Sequence, residues 1–139
     1  MREQEKFDSH KAPEPVGLYP HARRVGGMLY LSGVGPRERG SKDIPGVTLV
    51  AEGNITEYDI EKQCHSVFAN VRYILEDAGS SWDNIVDVTV FLTNMKEDFV
   101  TYNRIYAEYF KDNQPCRTTV EISSLPTPIG IELKVIATI

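Results

Sequence analysis

Between residues 60 and 78 the apolar side chains Ile60, Cys64, Val67, Val71, Ile74 and Ala78 stand four, three, four, three and four positions apart. Only an α-helix gathers that spacing on one side, so the stretch predicts an amphipathic helix with a single buried stripe. Thr56 with Asp59 three residues on resembles a capping box at its start, and Gly79 suits its end. The following segment, NIVDVTVFLTN, changes the period to two. Val86, Val88, Val90 and Leu92 fall on one face and Ile85, Asp87, Thr89 and Phe91 on the other, as in a strand. A chain that switches between the two periods has to pack helices on a sheet.

The remaining segments extend that pattern. ARRVGGMLYLSG predicts two strands joined at Gly26-Gly27, a pair suited to a tight hairpin turn. PRERGSKDIPGVTLVAEG reads as a loop that returns as a brief strand at VTLV. A second helix is expected over about 97–111, where Phe99, Tyr102, Tyr106 and Phe110 recur at helical spacing as core packing. PCRTTVEIS and IGIELKVIATI close the chain as strands. Residues 1–15 are polar, contain Pro13 and Pro15 and lack periodicity, so they read as a flexible N-terminal arm before one domain at 16–139. The fold class expected is α+β, a mixed sheet of five to six strands with two helices on one face. In the last strand Ile131, Leu133, Val135 and Ala137 suit a helix-covered face. Glu132, Lys134, Ile136 and Thr138 are mixed, as at a subunit interface, and an oligomer is expected.

Composition narrows the function. With 139 residues the chain has room for one core, and a net charge of -5 argues against nucleic acid, whose phosphates call for a clustered basic surface. No apolar run is long enough to span a bilayer, and the charged start MREQEKFDSHKAPEP lacks the apolar core of a secretory signal, so a cytoplasmic location is expected. Cys64 and Cys116 form no CxxC pair. His10, His21 and His65 are scattered, no GxGxxG opens a helix and no HExxH occurs, so neither a metal nor another cofactor is expected. His21, Arg23, Arg24, Arg37 and Arg39 concentrate positive charge in an acidic chain, which suits a small anionic ligand.

In PCRTTVEIS, Arg117, Thr119 and Glu121 share one face and Thr118, Val120 and Ile122 the other. A lone arginine on a strand is ordinarily solvated. The order LYP, LYLSGVGP, FLTNM, YNRIYAEYF, PCRTTVEI and LPTPIGIELKVIA, however, resembles the YjgF/RidA imine-deaminase family over almost all of residues 16–139. The resemblance implies a chorismate-mutase-like subunit, a homotrimer with sites between subunits, and hydrolysis of an enamine or imine of a 2-keto acid to the keto acid and ammonia. LYPHARR, SGVGPRERG with its IPGV continuation and CRTTV look most like the 2-aminomuconate deaminases, whose dicarboxylate substrate yields 4-oxalocrotonate in aromatic-compound degradation. A general 2-iminoacid deaminase and a non-catalytic binder of small carboxylates are the alternatives.

Carried over residue by residue, the resemblance implies that Arg117 clamps a carboxylate and Glu132 orients and deprotonates the attacking water. Tyr19, Ser32, Gly33, Asn103, Thr118 and Thr119 would line the cleft, with Asn103 from the neighbouring subunit and backbone N–H groups around Gly33 and Thr118 beside the arginine. Thr119 stands where many family members have cysteine. The distal acid of aminomuconate needs a second cation; His21, Arg24 and Arg37 are candidates, with His21 and Arg24 preferred for following Tyr19 closely. A plain hairpin through SLPTPIG would hold Arg117 on the order of 17 Å from the level of Glu132. The last two strands are therefore not expected to be hairpin neighbours, or the site needs two subunits.

Overall fold

The computed structural model describes residues 4–41, 44–45, 47–49 and 55–139. Strands β1 (Gln4–Phe7), β2 (Ala22–Val25) and β3 (Met28–Leu31) precede β4 (Val47–Leu49) and β5 (Ile55–Tyr58). Helix α1 (Ile60–Asp77), β6 (Ile85–Leu92), α2 (Met95–Tyr109), β7 (Cys116–Glu121) and β8 (Ile131–Thr138) follow. Six strands form one mixed sheet in the order β1-β2-β3-β8-β6-β7, and β4 and β5 pair separately. Among the described strands only β6 and β7 pair in parallel, a geometry that needs a crossover, and α2 supplies it.

The two periods behave as the residues require. The stripe of α1 is buried against Leu29, Leu31, Val88, Val90, Leu92, Ile131, Leu133 and Val135, none of which has any exposed surface. Asp59 caps α1 by accepting from the N–H groups of Glu61 and Lys62, while Thr56 belongs to β5; the cap is one turn later than the capping-box reading placed it. Gly79 ends the helix at φ 84°, the left-handed conformation glycine adopts without strain. The hairpin turns at Gly26, φ 60°. In β6 a register shift between Ile85 and Asp87 turns Ile85 into the core and leaves Val86 partly exposed, correcting the strict alternation expected there.

The segment read as a flexible arm is packed over residues 4–15. β1 adds to the free edge of β2, and Ala12 is wholly buried. His21, 7% exposed, pins this segment: the Ser9 N–H donates to Nδ1 at 2.8 Å, and Nε2–H donates to the Pro13 carbonyl at 2.7 Å. Ser9 Oγ reaches Asp77 on α1 at 2.6 Å. A polar, aperiodic stretch gains order here through backbone pairing and a buried imidazole, neither of which leaves a hydrophobic period. Residues 1–3 and Gly46 of the IPGV stretch lie outside the described residues.

β8 lies between β3 and β6, so β7 and β8 are not hairpin neighbours, as expected. The helix-free face of the sheet carries Met28, Tyr30, Phe91, Val120 and Ile136, all at least partly exposed and Tyr30 at 41%. Among the described residues no helix is long and apolar enough to cross a membrane.

Candidate active site

β7 is an edge strand, and its pairing with β6 sets which way each residue points. Arg117 pairs with the buried Val88 and so shares the helix-covered face, at the rim beside α2. Its guanidinium lies over the Tyr106 ring at 4.7 Å and near Tyr102 at 5.5 Å, and Nη1 donates to Asn103 Oδ1 at 2.8 Å. These three α2 residues orient the fork with a neutral acceptor and two ring faces. Arg117 forms no ion pair with any described carboxylate, so its charge is available to a ligand. Burial pushes the Tyr106 phenol up to about 12, which keeps the ring beneath the cation neutral. Thr119 shares this face, its hydroxyl 2.8 Å from Tyr102 Oη. The Ile122 N–H donates to Leu92 O on β6, so by alternation the N–H groups of Thr118 and Val120 also point into the ladder. Those of Arg117 and Thr119 face the free edge.

The other acidic candidate has different neighbours. Glu132 pairs with Phe91 on the helix-free face, where it borders a small cleft of about 50 Å³ shared with Tyr19, Gly33, Gly35, Arg37 and Thr127. Burial raises the Glu132 carboxyl above the usual glutamate range, and no hydrogen bond or ion pair to a described residue offsets it. Gly33 makes room for that carboxyl: a Cβ there would stand 2.8 Å from Oε2. Ser32 Oγ donates to the Pro20 carbonyl at 2.8 Å and the Val16 N–H donates to Tyr19 Oη at 3.2 Å, so both side chains shape the loop that walls the cleft. Lys134, two residues along the same face, donates to the Leu31 carbonyl, and burial lowers its ammonium below the usual lysine value.

Arg117 stands level with Val88 and Val135, and Glu132 lies three positions along and two strands over, which separates their backbones by about 14 Å. Their side chains leave opposite faces of the sheet. Within one chain the candidate residues therefore fall into two separate clusters: Arg117 with Asn103 and Thr119, and Glu132 with Tyr19, Ser32 and Gly33.

The family described as endoribonuclease L-PSP matches residues 9–139. The chain belongs to this family, YjgF/RidA. Among Rid relatives, a RutC family protein of Pyrococcus abyssi is 36% identical over 129 residues, covering 93% of this chain and 92% of its own. The mitochondrial protein MMF1 of Saccharomyces cerevisiae is 35% identical over 126 residues, covering 91% of this chain and 78% of its own. A crystal structure of a Rid-family protein from Yersinia pestis superposes with a TM-score of 0.84 at 36% identity, over 99% of this chain and all of that one. Escherichia coli TdcF with bound serine superposes at 0.83 and 28% identity, over 97% and 98% of the two chains.

On the Rid framework three sequence expectations change. His21 is buried and engaged at both ring nitrogens, so it anchors the N-terminal segment; it does not line the Glu132 cleft but borders a second small cavity with Ser32 and Arg37. Arg24 pairs with Leu29 on the helix side, its Nε donating to the Gly26 carbonyl at the far end of the hairpin, about 10 Å along the strand from Ser32. Arg37, named third, is the basic residue that lines the Glu132 cleft. Thr118, the expected backbone donor, points its N–H into the sheet, and the N–H groups facing the free edge are those of Arg117 and Thr119. Reading the Tyr102 and Tyr106 stripe only as core overlooked its second role beneath Arg117. Two tyrosines four apart on a helix that precedes an arginine-bearing edge strand were the available signal.

Proposed function

We propose that the protein is a cofactor-independent hydrolytic deaminase of 2-enamine or 2-imine carboxylic acids, and that its finer substrate is 2-aminomuconate. The observation that carries this is the oriented, ion-pair-free Arg117 fork, set apart from a half-buried acid that has its own cleft. A planar guanidinium grips a carboxylate through two parallel charge-assisted bonds. The free N–H of Thr119 adds a neutral donor at the same edge. Glu132 of an adjoining chain faces the nitrogen-bearing carbon. In its protonated form it delivers a proton to carbon, turning enamine to imine; as carboxylate it draws a proton from the water that attacks the imine carbon. Proton transfer to nitrogen then breaks the C–N bond and releases ammonia and the 2-keto acid. A raised carboxyl suits an acid that both gives and takes a proton near neutrality.

The two half-sites and the partly apolar helix-free face support a closed ring of identical subunits, a homotrimer, in which each ligand meets two chains. Rid-family membership supports a small-molecule or imine-deaminating role. The description endoribonuclease finds little physical support in a chain of net charge -5. A second reading, a general 2-iminoacid deaminase, is favoured by the likeness to TdcF with bound serine, a monocarboxylate of similar head group.

The test is ammonia release from freshly generated 2-aminomuconate and from 2-imino acids made by amino-acid oxidation. Ammonia above the uncatalysed rate is expected. Its absence with both substrates overturns the deaminase reading. Gly33→Ala supplies a finer check, since the added methyl forces the flexible Glu132 carboxyl aside without touching the core. Its kcat is expected to fall about 10²-fold, as for an ångström-scale misplacement. The thermal midpoint should stay near wild type.

A further inference from the structure

The stretch Gly35-Pro36-Arg37 is tied to α1 by three consecutive carbonyls. Asn70 Nδ2, on a side chain 4% exposed overall, donates to Gly35 O at 2.9 Å and to Arg37 O at 2.7 Å, and Ser66 Oγ donates to Pro36 O at 2.7 Å. Ser66 and Asn70 lie one turn apart on α1, so one helix face fixes the root of the Arg37 side chain. That side chain then lines both the Glu132 cleft and a second small cavity bordered by Tyr19, His21 and Ser32. Its Nη2 donates to the Glu14 carbonyl at 2.9 Å, a neutral partner, and it forms no ion pair with a described residue.

The other basic residues of the cluster have partners of their own. Arg39 meets the Glu14 carboxylate at 3.1 Å, Arg23 donates to the Gln4 amide, and Arg24 and His21 are held as described above. Nor does Arg37 neutralise Glu132, whose carboxyl is shifted by burial alone. A guanidinium whose backbone is fixed to α1 and that has no counter-ion among the described residues, in a cleft of mixed polarity, is a receptor for an anionic group. Because Arg117 belongs to the other half-site, a completed site would hold two forks, one from each chain.

The geometry points to Arg37 as the residue that binds a second carboxylate and so makes the site select dicarboxylic over monocarboxylic ligands. This rests on the reading above only in taking Arg117 as the clamp for the first carboxylate. Asn70 and Ser66 act as positioning residues.

The experiment is calorimetric titration with trans,trans-muconate and with sorbate, six-carbon dienes that differ by a carboxylate in place of a methyl group. Wild type is expected to bind muconate about 10- to 100-fold more tightly than sorbate, the range of one charge-assisted contact. Arg37→Gln, which keeps a donor for the Glu14 carbonyl, should bring the two affinities within about threefold by weakening muconate alone. Arg37→Lys should retain part of the preference, and unfolding midpoints should coincide. Equal wild-type affinities, or a preference that survives in Arg37→Gln, overturn the inference. Arg117→Gln should weaken both ligands together. If it weakens neither while Arg37→Gln abolishes the preference, the first-carboxylate assignment fails and the role of Arg37 stands.

Discussion

Replacing Arg117 with alanine is expected to lower kcat/KM for 2-enamine and 2-imine acids by about 10²–10⁴, the equivalent of two charge-assisted hydrogen bonds at roughly 1.5–3 kcal/mol each. The loss should be that large because Asn103, Tyr102 and Tyr106 hold the fork in place before a ligand arrives, so binding costs little further ordering. Folding should suffer far less. Arg117 is exposed at the sheet edge, and removing its contact with Tyr106 costs about 0.5–2 kcal/mol of cation–π attraction. Arg117→Lys keeps the charge but not the planar fork and should restore only part of the rate. Steady-state ammonia release with a thermal melt of each variant checks all three statements. A wild-type rate in Arg117→Ala contradicts the carboxylate assignment.

Glu132→Gln is expected to remove about 10²–10⁴ of kcat, the usual contribution of a positioned acid–base group, with a much smaller change in KM. It should also stabilise the protein at neutral pH. Burial raises the folded-state carboxyl above its unfolded value, so ionising it opposes folding. The stability tied to the protonated form is complete below the unfolded glutamate range and is lost as pH rises through the raised folded value. The variant, neutral throughout, escapes that loss. Its midpoint should exceed wild type near pH 7 and converge with it in acid. The acid limb of the wild-type rate profile should lie above the ordinary carboxylate range and vanish in the variant's residual activity. A variant less stable than wild type at pH 7 would contradict the half-buried, unpaired placement of this group.

Much of the fold was legible because hydrophobic period survives in single segments. The α1 stripe, the alternation of β8 and the Gly26 turn each follow from neighbouring residues. The packed course of residues 4–15 was hidden, since it depends on edge pairing with β2 and on His21 reaching back twelve and eight positions. Burial of His21 in turn removed it from the cleft. The bulge at Val86 was hidden because one inserted residue leaves the local pattern intact while reversing a side chain. At the site, residue types were readable but directions were not. Arg117 and Glu132 part to opposite faces only because β8 enters between β3 and β6, a long-range pairing no local window contains. The same holds for Arg37, whose place beside Glu132 comes from a loop fastened to α1 by Asn70.

Each site is proposed to take its carboxylate clamp from one chain and its acid from another. Arg117→Ala and Glu132→Gln proteins, each nearly inactive, should be unfolded together, refolded as an equal mixture and assayed beside each parent refolded alone. In a ring with sites between neighbours, random assortment sets an intact Arg117 against an intact Glu132 in about one site in four. The mixture should therefore recover about a quarter of wild-type activity. A mixture no more active than its parents would contradict the shared site.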